Sequence, residues 1–265
     1  MAIEIPKNLD GLPTSQRRFV GRRVRRREDP ALLTGRTEFL DDIKLPRMLH
    51  CAVLRSPFPR ARIESLDVTA AEALPGVEAV VTGEDARRWS HPAASSPDGW
   101  GGHCLAGDEV RFVGEPVAAV AAQSRAAAED ALEAIEIEYE PLDPIVDPFE
   151  AMKPESPLVD EAKGTNKMLD RVFTWGDVDA AFDAAPHVFR ESFRWNRVGA
   201  NPTETFGAIC EWDPMSLELT VRGSIQSASH FGLGRAAVFG LPSNKVNVIA
   251  TPHGGSFGGR GGTRC

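Results

Sequence analysis

Long apolar runs are missing from this chain of 265 residues, and nowhere does it approach the roughly 18 consecutive apolar residues of a membrane helix. Its first residues, Met1-Ala2-Ile3-Glu4-Ile5-Pro6-Lys7, lack the apolar stretch of a secretory signal. Cysteine is sparse. Cys51, Cys104, Cys210 and Cys265 include no CxxC and no metal-ligand spacing, which argues against a zinc ribbon or a disulfide scaffold. These absences point to a reducing, cytoplasmic setting with no membrane partner. There is a single Tyr, and the six histidines are scattered, with no i, i+4 pair. What remains is ordinary globular material: 42% apolar and 26% charged, with 24 Gly and 20 Pro, values that exclude a disordered chain, a coiled coil and a collagen-like polymer. A chain of this length buries a core without disulfide or metal staples.

The net charge is −8, unevenly spread. Residues 1–30 carry eight Lys/Arg against four Asp/Glu, and the rest carry 22 against 34. An acidic body is a poor general nucleic-acid binder, because affinity for nucleic acid comes from basic residues that release phosphate counterions. The basic run from Arg17 to Arg27 is the exception. It reads as an RNA-binding segment, as a docking arm for an acidic partner surface, or as a solvated arm lying over the acidic body of its own protein. No aromatic-interleaved strand accompanies it, which disfavours the first reading.

Along the chain, residues 1–30 read as an extended basic arm, 31–150 as a compact α/β unit, 151–170 as a linker and 171–265 as a second unit. Strands are expected at Met48–Arg55, Arg62–Val68, Val77–Thr82, Val117–Ala122 and Ile135–Glu140, with residues 90–107 as a surface loop. Thr69 is expected to cap a short helix from Ala70 to Leu74, with Glu72 completing a capping box. Ser124 is expected to cap a helix from Arg125 to Ala134 that turns Ala127, Ala131 and Leu132 to one face. The strand Ile135–Glu140 alternates strictly, with one acidic, wet face. In the second unit, Asp177–Ala184 is expected to be a short helix, and Val188–Trp195 alternates as a strand. A hairpin is expected across Asp213-Pro214-Met215-Ser216, then a helix from Ser229 to Phe239 and a last strand, Lys245–Ala250.

The chemistry concentrates at the end of this second unit. Gln226 and the loop Gly254-Gly255-Ser256-Phe257-Gly258-Gly259-Arg260-Gly261-Gly262 follow strands separated by one helix, where open α/β structures commonly bind ligands. Glycines let several N–H groups turn toward an anion or oxo group, and the Gln226 amide both donates and accepts. A flexible glycine tail is the competing reading. The loop is not a phosphate-binding Gly-Lys-Ser/Thr loop, and Gly232-Leu233-Gly234 lacks the third glycine of a dinucleotide fingerprint. His253 abuts the loop, either to meet a ligand or to brace the loop. Glu204 reads either as a buried acid near this site or as a solvated carboxylate at a strand edge.

In order and spacing, the residues from about 19 to 262 resemble a known family. The matching stretches are Val20-Gly21 with Arg27-Glu28-Asp29-Pro30 and Leu33-Thr34-Gly35-Arg36; Phe39-Leu40-Asp41-Asp42-Ile43; Leu54-Arg55-Ser56-Pro57 with Ala61-Arg62-Ile63; Leu74-Pro75-Gly76-Val77; Val110 to Ala118; and Glu138-Tyr139-Glu140-Pro141-Leu142. They continue at Thr203-Glu204-Thr205, Ser224-Ile225-Gln226, Gly240-Leu241-Pro242 and the loop from Gly254 to Gly259. The family is the molybdopterin-binding large subunit of xanthine dehydrogenases, aldehyde oxidases and aerobic carbon monoxide dehydrogenases, and the likeness is to its N-terminal part.

The resemblance implies a fold of α/β (α+β) class, with a hammerhead-like α/β domain over 31–150 followed by the start of a molybdenum-cofactor-binding domain over 171–265. It implies oxidation of an aldehyde, heterocycle or similar small molecule with water-derived oxygen. The implied cofactor is molybdenum-molybdopterin in its cytosine dinucleotide form, with electrons leaving through an iron–sulfur subunit to FAD on a flavin subunit. Gln226 looks like the glutamine that hydrogen-bonds to a molybdenum oxygen, itself outside the metal's direct ligands. Gly254, Gly255, Phe257, Gly258 and Gly259 look like the cofactor loop, with Gly258 offering a backbone N–H, while Glu204 and His253 look substrate-side. Two positions depart from the pattern: Arg260 stands where the family usually has Lys, and Gly261 where purine-oxidising members carry Glu, which weakens xanthine as a substrate. The family's general-base glutamate and most of its pterin contacts would lie beyond residue 265. The expectation is therefore a fragment or split subunit, inactive by itself, that needs a C-terminal complementary chain. The competing expectation is a non-catalytic assembly module that binds partner subunits.

Overall fold

The computed structural model describes residues 24–93, 97, 99–196 and 198–261. The chain divides between Glu38 and Phe39 into two units. In the described part of the first, Pro30 opens the short helix α1 (Asp29–Leu33), where its missing N–H costs nothing. The Thr34 hydroxyl closes the helix by donating to the Pro30 carbonyl at 2.7 Å. The expected arm lies outside the described residues as far as residue 23, and so does the part of the basic run it contains.

The second unit begins with a 3-10 turn at Leu40–Asp42 that buries Leu40. There follow β1 (His50–Arg55), β2 (Ala61–Asp67), α2 (Thr69–Glu72), β3 (Val77–Thr82) and α3 (Gly83–Trp89). Next come β4 (Glu109–Val110), β5 (Pro116–Ala122), α4 (Arg125–Glu133), β6 (Glu136–Pro141) and α5 (Pro148–Ala151). Among the described residues these strands make two antiparallel sheets, ordered β1-β5-β3 and β4-β2-β6. Strand β5 joins two cores. Ala118 and Val120 pack with Ala71, Val80, Ala131 and Ile135, while Val117 packs with Ala61, Ala106 and Val110. Small side chains along β5 give a strand buried on both faces, as its unbroken apolar run predicts.

Local capping decides most element starts. The Ser124 hydroxyl accepts the Ala127 N–H at 3.1 Å and opens α4. The face turned inward carries Ala128 and Ala131, one step along from the expected Ala127. The expected Thr69 cap does not form. The Asp67 carboxylate takes the Thr69 N–H at 2.8 Å, so α2 starts at Thr69 itself with Val68 at its N-cap. Helix α3 was not expected, although Thr82 and Asp85 form a capping box across its first turn. In β6, Glu136, Glu138 and Glu140 face solvent, while Ile137 and Tyr139 turn inward and Tyr139 meets Phe58 at 5.1 Å between ring centroids.

Beyond α5 the chain carries α6 (Val178–Ala184), capped by the Asp177 carboxylate on the Ala180 N–H at 3.0 Å. The strand expected at Val188–Trp195 is not paired: the segment is irregular and exposed. The third sheet is β7 (Ala208–Asp213), β8 (Glu218–Gly223) and β9 (Val246–Ala250), with α7 (Ala228–Phe239) crossing between β8 and β9. Strands β7 and β8 form the expected hairpin, and β8 and β9 run parallel. A connection from one parallel strand to its neighbour requires such a crossover, and α7 buries Phe231 against Val221, Ile225 and Val248.

Candidate functional site

The parallel pairing of β8 and β9 brings the chain after each strand to the same end of the sheet. The Thr251 N–H donates to the Gly223 carbonyl at 2.9 Å, and the Gln226 N–H donates to the Arg260 carbonyl at 3.2 Å. Gln226 and the glycine loop are thereby laid side by side. The Gln226 Oε1 accepts the Ser256 hydroxyl and, at 3.3 Å, the Gly258 N–H. Both Gln226 and Gly258 face solvent, whereas Ser256 is buried beneath them.

The loop's shape is specific. Gly255 and Gly258 have φ of +110° and +87°, and a Cβ on Gly255 would come within 2.8 Å of the Phe257 ring. Phe257, between them, also takes a positive φ, +50°, while its side chain is 79% exposed. An aromatic residue held in that conformation with its ring in solvent is a local strain, of a kind that clusters at ligand clamps. The space in front of Gly258 is open, with no heavy atom within 4 Å of where a Cβ would stand.

Beneath the loop lies an ion pair. Arg260 Nη1 and Glu204 Oε2 are 2.6 Å apart, with side chains only 2% and 18% exposed. Arg260 Nη2 also donates to the Glu204 carbonyl, and Glu204 Oε2 accepts the Gly254 N–H at 2.8 Å. One carboxylate therefore ties both ends of the loop. Partial burial pushes the Glu204 carboxyl up, but the Gly254 N–H and the Arg260 guanidinium outweigh it and hold the carboxyl below its ordinary value. Glu204 Oε1, Arg260 Nε, Ser224 Oγ and Thr251 Oγ1 are buried with no hydrogen-bond partner among the described residues.

The structure thus gathers Gln226, Gly254, Gly255, Phe257, Gly258, Gly259 and Glu204 into one place. Gly259 folds back within the loop, its N–H donating to the Ser256 carbonyl at 2.9 Å. His253 is exposed beside the loop, without a hydrogen bond from its ring to another described residue. Gly262 and the residues after it lie outside the described residues. Sequence reasoning did not anticipate the parts of Ser256 and Arg260. A serine among glycines and an arginine at the loop's end carry no periodic signal, and their partners sit 30 and 56 residues away.

The exposed donors are an amide and a backbone N–H, both neutral. No cluster of His, Cys, Asp or Glu among the described residues could hold a metal ion directly. Such a set suits the oxygen atoms of a bound group, and the open space over Gly258 leaves room for one. In this sense the residues present fit a cofactor that carries its metal with it.

Comparison with known proteins identifies two domains along the chain. The aldehyde oxidase and xanthine dehydrogenase a/b hammerhead domain matches residues 34–143, and the molybdopterin cofactor-binding domain matches residues 159–264. The carbon monoxide dehydrogenase large chain of Afipia carboxidovorans is 37% identical, over 94% of this chain and 33% of its own length. The nicotine 6-hydroxylase large subunit of Paenarthrobacter nicotinovorans is 36% identical, over 93% and 31%. The crystal structure of quinoline 2-oxidoreductase from Pseudomonas putida 86 superposes with a TM-score of 0.80 at 36% identity, over 89% and 31%. The chain therefore spans about a third of the length of the relatives it matches. Among the described residues no helix is long and apolar enough to cross a membrane. A hammerhead domain followed by a molybdopterin cofactor-binding domain, in the order found here, places the chain in the xanthine dehydrogenase, aldehyde oxidase and carbon monoxide dehydrogenase family of molybdopterin-binding large subunits.

Proposed function

We propose that this chain supplies the N-terminal part of the catalytic subunit of a molybdenum hydroxylase. The observation that carries the reading is the pairing of Gln226 with the loop 254–260 at one end of the β8–β9 sheet, over open space. The hammerhead-like domain spans 31–150, the linker 151–170 and the cofactor-binding part 171–265. A bound molybdenum-molybdopterin, in its cytosine dinucleotide form, supplies two-electron oxidation and the transfer of water-derived oxygen to an aldehyde, a heterocycle or a similar small molecule.

The chain's own residues then have distinct tasks. The Gln226 amide N–H groups present hydrogen bonds to oxygen atoms of the bound group, and the Gly258 N–H, by donating to Gln226 Oε1 at 3.3 Å, holds that amide in place. The Glu204–Arg260 pair keeps the loop in the shape that turns Gly258 outward. Phe257 offers an exposed apolar ring beside them, and His253 a polar group at the rim on the substrate side. Neutral donors fixed before the ligand arrives need no rearrangement as charge develops, which is how such groups assist a reaction. The proposal includes a C-terminal complementary chain, an iron–sulfur subunit and an FAD-carrying flavin subunit as partners.

The test is metal content in the assembled protein. The chain, co-purified with its complementary chain from cells making the cofactor, is expected to hold about one molybdenum per complex by elemental analysis. Gln226→Ala is expected to leave the complex folded but to lower molybdenum retention during dialysis. A well-folded complex without molybdenum would sink the reading.

A further inference from the structure

The Gln226 side chain ends in two groups of nearly equal size and opposite chemistry, a carbonyl oxygen and an NH2 group. Turning the amide over exchanges them, so the residue type alone leaves open whether Gln226 accepts from a ligand or donates to it. The Gly258 N–H, 3.3 Å away, sets the sense. A backbone N–H only donates, so the atom facing it is Oε1 and the NH2 group points away. As a hold, however, this contact is weak. It is longer than the roughly 2.7–3.2 Å of an ordinary amide hydrogen bond, and both residues face solvent, where water competes for each group.

Ser256 supplies the strength that Gly258 lacks. It is 8% exposed, and its hydroxyl donates to the same Oε1. A donor shut away from water gains more from its partner than one that water can replace. The loop holds this hydroxyl in place. The Ser256 carbonyl accepts the Gly259 N–H at 2.9 Å, and the Gly258 carbonyl accepts the Gly261 N–H at 3.2 Å. On the other side, the Gln226 backbone N–H is fixed to the Arg260 carbonyl. An amide oxygen has two lone pairs, and here Ser256 and Gly258 take both. Turned over, the amide would set its NH2 group against the Gly258 N–H, donor against donor.

We propose that Ser256 is the positioning residue for Gln226: its buried hydroxyl locks the amide with Oε1 inward and the NH2 group outward, so that Gln226 meets a bound group as a donor alone. A ligand atom at that place is an acceptor, an oxygen with a free lone pair. A ligand that offers only a hydrogen finds no partner there, because Oε1 is already filled. The inference rests on the proposed function only in taking the bound group to be the cofactor, while the lock itself belongs to the chain without it.

The chain has three glutamines, Gln16, Gln123 and Gln226, so glutamine-selective labelling with carbon-13 and nitrogen-15 gives three side-chain amide signals in the full 265-residue chain. Gln226→Ala identifies the one concerned. Ser256→Ala removes only the hydroxyl, and Ser256→Thr keeps one. Ser256→Ala is expected to move the Gln226 Cδ resonance upfield, as for a carbonyl that loses a donor. It is also expected to speed exchange of the Gly258 amide about tenfold, while the Gly259 and Gly261 amides keep their rates. Ser256→Thr is expected to return both readings to those of the wild type. A Gln226 signal that Ser256→Ala leaves unmoved overturns the proposal. So does equal acceleration at Gly258, Gly259 and Gly261, which would make Ser256 a brace for the loop and not a hold on the amide. A Ser256→Thr chain that keeps the alanine readings overturns it as well. Molybdenum is read separately in the assembled complex: a wild-type complex without the metal refutes the cofactor reading, and the resonance shift with its threonine rescue leaves this one standing.

Discussion

Glu204 and Arg260 meet from 56 residues apart, and their contact decides what the glycine loop can do. With side chains almost out of solvent, removing one charge leaves the other buried and unpaired, a change that costs about 3 kcal/mol in pairs of this kind. Glu204→Gln keeps an acceptor for the Gly254 N–H but not the charge opposite Arg260. The pH dependence has a definite sign. The Glu204 carboxyl is held below its ordinary value of 4.5 in the folded chain. Its contribution is therefore whole above the unfolded-state value and is lost as pH falls through the folded-state value. Thermal unfolding of wild type and Glu204→Gln between pH 7 and pH 3 is expected to show a clear gap at neutral pH that begins to narrow only as pH falls below about 4.5 and goes on closing toward the acid end. A gap that persists unchanged to the acid end would mean that the charge pair is not what fastens the loop.

Elements differ in how much of the fold depends on them, and two helix caps separate the cases. Both Ser124 and Asp177 accept a backbone N–H at the start of a helix. Helix α4 buries Ala128 and Ala131 in the main core, while α6 buries nothing. Ser124→Ala is expected to lower global stability by about 1 kcal/mol in a denaturant titration. Asp177→Ala is expected to leave the midpoint where it is, because a seven-residue helix without tertiary packing is outside the cooperative core. Equal shifts for the two would contradict this division. The same contrast explains what the sequence made legible. Ser124, the strict alternation of β6 and the apolar run of β5 carry local signals, and all three elements form as read. The Asp67 side chain takes the Thr69 N–H that a capping box gives to Glu72, and propensity alone does not rank such rivals. Val188–Trp195 alternates correctly but finds no partner, since period two states which side chains need burial and not where the cover comes from. Gln226 and the glycine loop could be placed together because a crossover helix between two strands implies parallel neighbours. The Glu204–Arg260 tie beneath them could not, for nothing local connects two loops so far apart.

At the scale of the whole molecule, the cores are unequal. Among the described residues, β5 sends side chains into the cores of both the β1-β5-β3 and β4-β2-β6 sheets, which close on clusters of six and four buried residues, whereas the β7-β8-β9 sheet closes on three, Val221, Ile225 and Phe231. Burial of apolar surface is the main favourable contribution to folding, so the sheet that carries the candidate site rests on the thinner support. Regions with little buried contact open at lower free energy than the global transition. Native-state hydrogen exchange is expected to show the Val221 amide of β8 opening well below the Val120 amide of β5 in the free chain. A partner that binds only the closed form raises the stability of what it touches by mass action. Adding the complementary polypeptide is accordingly expected to bring Val221 up toward Val120 while Val120 itself moves little. One shared opening free energy for both amides in the free chain would show instead that the 39–265 unit folds as a single cooperative block, with the cofactor end as firmly built as the hammerhead.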